Sequence, residues 1–412
     1  MAFLFLTGIR TAYYCGIMQS SDIVTFPSVL DNDFYKFTMQ QCVVNLYPKA
    51  KARYQFINRG KHSFPQGFED ALRNSIDAMA NLALTREEKA WLTATCPYLQ
   101  PTYLDFLQGY RYDPDEVIIE QKGEELSIEI NGYWYRTILW EVPILSLVSE
   151  LYYKLHHLQR INDEEVKEVT KQKIQKYDSL GVTVADFGTR RRHSYDVHKI
   201  VVAALKEYGG NSFVGSSNVH LAMVNNTKPI GTHAHEWFMF HAAKYGFKMA
   251  NAMALEHWVD VYRGDLGIAL SDTYTTDVFF QQFDKKFAKL FDGVRHDSGD
   301  PIAFAQKTIE HYKKLGIDPL YKTITFSDAL NYDRVVRIAD FCKGNIGMSF
   351  GIGTSLTNDV GLKPMNIVIK MTEACDVGER WTPVVKLSDE KGKYTGNPGM
   401  IALAKESLHI EE

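Results

Sequence analysis

Cysteine is scarce in this chain. Its five cysteines among 412 residues (Cys15, Cys42, Cys96, Cys342, Cys375) are odd in number and scattered, with no CxxC or Cys/His spacing that organises zinc. That usage fits a reducing compartment, and the cytoplasm is the expected location. One-sided charge is missing too. With 46 basic against 50 acidic side chains the net charge is −4, so no global field recruits nucleic acid or an anionic membrane. Any phosphate recognition must be local. No run reaches the roughly eighteen apolar residues of a membrane span. The stretch MAFLFLTGIRTAYYCGI (1–17) carries one basic residue, Arg10, placed beyond its first apolar run, and no A-x-A site follows. It reads as a tail, or as sequence ahead of a start at Met18, with a poor signal peptide as the alternative. There is no Walker P-loop, no GxGxxG fingerprint, no low-complexity stretch and no internal repeat beyond the rhythm described next.

What is present is a repeated unit: an apolar or β-branched run, a cluster of Asp, Arg, His, Ser and Gly, then an amphipathic stretch. The runs are VTVADFG (182–188), NSFVGSS (211–217), KPIGTHAHE (228–236), GIALSDT (267–273), DGVRHDSGD (292–300), KTITFSDA (322–329) and IGMSFGIGTS (346–355). Without the alternation of a strand that has one wet face, each reads as a buried parallel strand. In a β/α barrel the strand C-termini converge on one rim, so these seven polar clusters would surround a single pocket.

The length, 412 residues, exceeds what one core usually serves, and 45% hydrophobic with 23% charged residues is the balance of a soluble globular enzyme. The division we expect is a tail at 1–22, an N-terminal α+β domain at 23–145 joined by 371–412, and a β/α barrel at 146–370. In the first domain helical stretches (33–46, 67–80, 85–95, 102–107) mix with alternating runs read as antiparallel strands: ARYQFIN (52–58), EVIIEQ (116–121), ELSIEIN (125–131) and YWYRTILWEV (133–142). A helical passage at 144–178 leads into the barrel; its Lys/Glu-rich second half is a solvated face without function. The segment TPVVKLSDEKGKYTGNPGM (382–400) reads as a strand and a turn that fold back on the first domain.

The rim motifs carry the chemistry. In RHDSGDP, Asp300 and Pro301 suit the N-cap and N1 positions of a helix running to about Lys314. Capping leaves Arg295, His296 and Asp297 unexplained. A guanidinium there can clamp a carboxylate or phosphate, and Asp297 can hold ribose hydroxyls or magnesium. GIGTS (351–355) puts two glycines after a strand, a backbone able to wrap an anion, and Ser327-Asp328 repeats the theme at the preceding strand. Taken alone, a glycine-rich turn is more often only a turn. In GTHAHEW (231–237) the HxH spacing of His233 and His235 invites a metal reading; the competing use is a neutral imidazole that accepts a phosphoryl group, and a structural pair is the bland reading. The arginines of DFGTRRRHS (186–194) are either a solvated turn or an anion clamp. Tyr35, Lys36 and Arg59, from DNDFYKFTM and YQFINRG, read first as core and its edge.

Taken together and in order, DNDFYKFTM, DFGTRRRHS, GSSNVHLA, GTHAHEW, SDT, RHDSGDP, FSD and FGIGTS closely resemble the nicotinate phosphoribosyltransferase family across residues 23 to about 400. The resemblance implies an α/β protein, an incomplete seven-unit β/α barrel with an N-terminal α+β domain, acting as a homodimer in which one subunit's N-terminal domain closes the other's site. It implies transfer of the phosphoribosyl group from phosphoribosyl pyrophosphate to nicotinate, giving nicotinate mononucleotide and pyrophosphate, with ATP as co-substrate and magnesium carried mainly by substrate phosphates; the enzyme is then ligase-type and serves NAD biosynthesis. His235 would be transiently phosphorylated. Phe187 and a partner's Tyr35 would sandwich the pyridine ring, with Arg295 and Ser217 near its carboxylate. Asp297 and Asp272 would face ribose, magnesium or the phosphohistidine; Gly353 and Thr354 would hold the 5′-phosphate with Ser327 and Asp328 nearby; Arg59, Lys36 and Arg190 would meet pyrophosphate or ATP phosphates.

Related nicotinamide-specific enzymes have Asp where this chain has Ser217, and a carboxylate there would accept from an amide and repel nicotinate. Nicotinate is therefore the expected base, and Ser217→Asp is expected to move preference toward nicotinamide. The alternatives are a nicotinamide or quinolinate enzyme of the same fold, a metal-dependent hydrolase built on His233 and His235, and a non-catalytic binding barrel, which would leave RHDSGDP and GTHAHEW without a reason.

Overall fold

The computed structural model describes residues 23–378, 380–390 and 393–410; the expectations for residues 1–22, Cys15 included, lie outside the described residues. Strands β1 (Lys51–Asn58), β2 (Val117–Lys122) and β3 (Glu125–Tyr133) are antiparallel neighbours, and the alternating exposure along β2 and β3 is what their sequences dictate for a sheet with one wet face. Gly123, with φ of 63°, makes the tight turn between β2 and β3.

The second sheet takes strands from the repeated units: β4 (Val184–Asp186), β5 (Phe213–Ser216), β6 (Lys228–Pro229), β8 (Ile268–Leu270), β9 (Gly293–His296), β10 (Thr323–Phe326) and β11 (Gly347–Ile352); a further short strand, β7 (Arg263–Leu266), lies outside it. Its order is β6-β5-β4-β11-β10-β9-β8, every pairing parallel. The first strand thus pairs with the last, and the unpaired edges are β6 and β8. Across that gap Thr232 Oγ1 donates to the Ile268 carbonyl at 3.1 Å and the Leu270 N–H donates to His233 Nε2 at 3.1 Å. The strands are shorter than the runs that announced them, because only residues between the polar rim and the preceding loop enter the ladder.

Strand β12 (Ile367–Cys375) leaves the parallel sheet and pairs antiparallel with β1, Asn58 opposite Ile367 and Lys51 opposite Cys375; β13 (Thr382–Pro383) follows at its edge. A strand over 133–142 does not form. Trp134–Thr137 is a helical turn and Glu141–Leu155 a helix, because Trp134, Ile138, Leu139 and Trp140 are all buried and only a helical path presents them together. The passage at 144–178 is two helices, Glu141–Leu155 and Asp163–Leu180, the second opened by an Asn162/Glu165 capping box and closed by Gly181 at φ 72°.

One apolar cluster serves both sheets. Trp134 stacks on Trp237 (centroids 6.0 Å apart) and packs against Phe240 (4.4 Å), which docks helix His235–Tyr245 against the first domain. That contact fixes the helix whose first residue is His235. No helix among the described residues is long and apolar enough to cross a membrane.

Candidate active site

Two adjoining hollows open at the C-terminal rim. The first is a slot of about 80 Å³ lined by Asp33, Tyr35, Phe187, Arg190, Ser217 and Arg295, with Ile230 and Ile268 below. Phe187 follows β4, and its backbone N–H donates to the Ile352 carbonyl at 2.8 Å. Gly351 is required beneath it, since a Cβ there would drive into the Phe187 ring, and Gly353 packs near the Phe187 carbonyl. These glycines therefore shape the aromatic wall as well as a turn.

Tyr35 reaches the slot from its own chain, not from a partner as the resemblance implied. The Phe34 N–H donates to the Ser217 carbonyl at 2.7 Å, Asp33 bridges to Asn218, and Thr38 Oγ1 donates to the Thr232 carbonyl at 2.5 Å. Upstream, the buried Arg192 guanidinium grips Asp31 in bidentate fashion at 2.6 and 2.8 Å. These bonds hold residues 31–38 across the ends of β5 and β6.

The second hollow is lined by Tyr35, Tyr54, Glu141, Arg190, His235, Glu236, Lys370 and Lys386. At its rim His235 Nδ1 lies 3.0 Å from Thr273 Oγ1, and Nε2 lies 3.0 Å from Asp297 Oδ2, 3.8 Å from Asp272 Oδ1 and 2.9 Å from Lys386 Nζ. Burial, then Lys386, lower the affinity of this imidazole for a second proton against the pull of the two carboxylates, so it is held neutral. Asp297 in turn accepts from Arg295 Nη2 at 2.9 Å and Ser327 Oγ at 2.6 Å. Burial opposes its charge, but the Arg295 guanidinium beside it holds it well below the usual carboxylate range. Asp272 takes a 2.6 Å bond from Ser298 and lies 3.3 Å from Lys386, while its buried Oδ1 has no hydrogen-bond partner among the described residues.

Most of the expected residues therefore meet: Tyr35, Phe187, Ser217, Arg190 and Arg295 around the slot, His235, Asp272, Asp297 and Ser327 beside it. Asp328 comes next, its carboxyl raised by burial and by Asp297. Arg59 is exposed at the end of β1, and its charge is felt at Lys370 and Arg191. Two residues sit elsewhere. Thr354 lines a separate hollow with Lys173, Lys176 and Tyr332. Lys36 is fully buried between Glu141, at 2.6 Å, and Glu236, so its ammonium cannot face a phosphate and instead fixes two acids behind the site.

His233 is not a partner for His235. It is buried, its Nε2 takes the Leu270 N–H, and its ring packs edge-on against Phe238 and Trp258, so the HxH pair shares no ligand. Sequence reasoning missed Asp33, Lys370 and Lys386. Burial and then Lys386 bring the Lys370 ammonium down to about 8, with Arg190 and Arg59 adding to the effect against Glu141. Lys386 carried no local signal; it enters on a segment held by the Leu387 N–H to the Thr273 carbonyl at 2.8 Å and by paired bonds between Lys386 and Thr395.

An aromatic slot with two guanidiniums opens beside an acid- and lysine-ringed histidine on a parallel α/β rim, an arrangement with the cations to hold anionic groups. The pattern described as the nicotinate phosphoribosyltransferase (NAPRTase) family matches residues 182–412, and that of its N-terminal domain residues 30–149. The chain belongs to the nicotinate phosphoribosyltransferase family. A nicotinate phosphoribosyltransferase of Chromohalobacter salexigens is 63% identical over 93% of this chain and 98% of its own, and one of Desulforapulum autotrophicum 49% identical over 91% and 97%. The crystal structure of the Porphyromonas gingivalis nicotinate phosphoribosyltransferase superposes with a TM-score of 0.91 at 46% identity, covering 93% of this chain and all (100%) of that one.

Proposed function

We propose that the protein transfers the phosphoribosyl group of phosphoribosyl pyrophosphate to nicotinate, a step of NAD biosynthesis, with ATP as a coupled co-substrate. The observation that carries this reading is the slot walled by Tyr35 and Phe187, with Arg295 in its lining and the His235 cluster at its mouth. The pyridine nitrogen attacks the ribose C1′, the bond from C1′ to the pyrophosphate oxygen breaks, and pyrophosphate leaves with the bonding pair. The nitrogen lone pair is already free, so no general base is needed. Catalysis comes from alignment and from cations, Arg190 and Lys370, that receive the leaving charge.

The incomplete barrel belongs to this reading, the gap between β6 and β8 being its open seam. His235 accepts the γ-phosphoryl of ATP as ADP leaves, and water later takes the phosphoryl as phosphate. In the tautomer with its proton on Nδ1, 3.0 Å from Thr273 Oγ1, Nε2 is the nucleophilic nitrogen. Phosphorylation there displaces Lys386 from His235 and ties ATP turnover to the pyrophosphate side of the site, a differential-binding device. Asp272 and Asp297 suit magnesium carried on substrate phosphates: they and His235 offer ligand atoms within 4.8 Å of one another, and Asp272 Oδ1 is buried without a hydrogen-bond partner among the described residues. When bound, magnesium supplies neutralising charge. A homodimer is kept in this reading without a share in the slot, as is a cytoplasmic location.

Pyrophosphate release tests the assignment. With phosphoribosyl pyrophosphate and magnesium present, release should depend on added nicotinate and match nucleotide formed; release independent of nicotinate would remove the reading.

A further inference from the structure

The Ser217 hydroxyl has one proton, and it points into the wall: Oγ donates to Asp33 Oδ1 at 2.7 Å. A hydroxyl so engaged offers only lone pairs to the slot. Lone pairs suit the amide N–H of nicotinamide and oppose the carboxylate of nicotinate. Replacing Asp by Ser at position 217 therefore does not remove negative charge from this wall, because Asp33, 2% exposed and lining the same slot, supplies a carboxylate of its own. Adding one proton to Asp33 reverses the polarity. The Asp33 O–H donates to Ser217 Oγ, and Ser217 turns its own proton toward the ligand.

We propose that Asp33 is the specificity-determining residue of the slot: nicotinate binds with uptake of one proton by Asp33, which turns Ser217 from acceptor to donor, whereas nicotinamide binds without it. This rests on the reading that the slot takes the pyridine base. The backbone on both sides is fixed by the Phe34 bond to Ser217 and the Asp33 bridge to Asn218, so the two side chains cannot drift apart. The groups facing Asp33 are Arg190, whose Nε lies 3.9 Å from Oδ2 while also reaching Glu141 at 3.6 Å, Asp186 from β4, Tyr35 from its own helix, and Arg295 across the slot. Burial raises the Asp33 carboxyl above its ordinary range despite Arg190 and the bond from Ser217, with Asp186 adding to the rise. The proton taken up leaves the ligand's charge to Arg295 and Arg190, undivided by a competing carboxylate.

The test is base selectivity, kcat/KM for nicotinate over nicotinamide, followed from about pH 6 to 9 with saturating phosphoribosyl pyrophosphate; titrations common to both bases cancel in the ratio. The wild type should lose selectivity by up to about tenfold per pH unit once Asp33 ionises. Asp33→Asn, whose amide N–H donates to Ser217 permanently, should stay selective and flat. A flat wild-type ratio, or the same slope in Asp33→Asn, overturns the proposal. Should that variant not fold, calorimetry of the wild type in two buffers of different ionisation enthalpy decides instead: proton uptake with nicotinate but not nicotinamide supports it, and uptake with neither overturns it. Nicotinate that binds but is never converted would overturn the reading under Proposed function alone, since the calorimetry needs only binding.

Discussion

Lys386 Nζ lies 2.9 Å from His235 Nε2, although the two residues are far apart in sequence and sit on different segments. Lys386 also reaches Asp272 at 3.3 Å, so one ammonium neutralises an acid and caps the imidazole nitrogen assigned as nucleophile. It occupies the place that a phosphoryl group on His235 would take, and is then positioned to bind that group's oxygens. Lys386→Met should reduce the ATP-stimulated part of turnover by on the order of 10²-fold while leaving the slower ATP-independent rate within a few-fold. Initial rates with and without ATP check this; full stimulation would remove Lys386 from the coupling.

His235→Ala should behave alike by a different route. ATP stimulation should vanish, acid-labile phosphate on the protein should be absent, and slow synthesis without ATP should persist. Retained stimulation would reject the phosphohistidine.

Lys370 titrates at about 8, pulled down by burial and by Lys386. Its charged form is the one that holds an anion, so pyrophosphate should bind best below about pH 8 and weaken as pH rises through it. Product-inhibition constants across that range should show the loss, and Lys370→Met should flatten it. An unchanged slope in the variant would place the titration elsewhere.

Gly351→Ala puts a methyl group into the Phe187 ring and leaves the slot's polar groups untouched. The KM for nicotinate should rise by roughly 2- to 13-fold, the worth of an aromatic contact of about 0.5–1.5 kcal/mol, and Phe187→Ala should do the same. An unchanged KM in both would exclude Phe187 as a wall for the base.

Asp31→Ala leaves the Arg192 guanidinium, 1% exposed, without its bidentate partner. Stability should fall by about 3–5 kcal/mol, read as a lowered denaturation midpoint, because a charge buried without its counter-ion is costly. A shift below about 1 kcal/mol would mean that water reaches the arginine.

The βα rhythm was legible because seven apolar runs each end in polar residues, and the rim cluster of His235, Asp272, Arg295, Asp297 and Ser327 followed from strand ends converging. The failures have physical causes. YWYRTILWEV alternates like a strand, yet Trp134, Ile138, Leu139 and Trp140 are all buried, and burial prevailed over pattern. Lys36 reads as a phosphate ligand until Glu141 and Glu236 are seen on either side of it, one 105 and the other 200 positions away. Lys370 looks like the wet face of β12, but that face turns to the rim of the other sheet. Asp33 was hidden by its role as a helix cap position, where Asp is commonplace.

In the proposed function the slot between Tyr35 and Phe187 takes nicotinate as a phosphoribosyl acceptor. Mass spectrometry of products, after incubation with phosphoribosyl pyrophosphate, magnesium and an equimolar mixture of nicotinate and nicotinamide, with and without ATP, tests it most directly. Nicotinate mononucleotide should be the main product, in greater amount with ATP; nicotinamide mononucleotide as the main product, or no nucleotide at all, would rule out nicotinate as the acceptor.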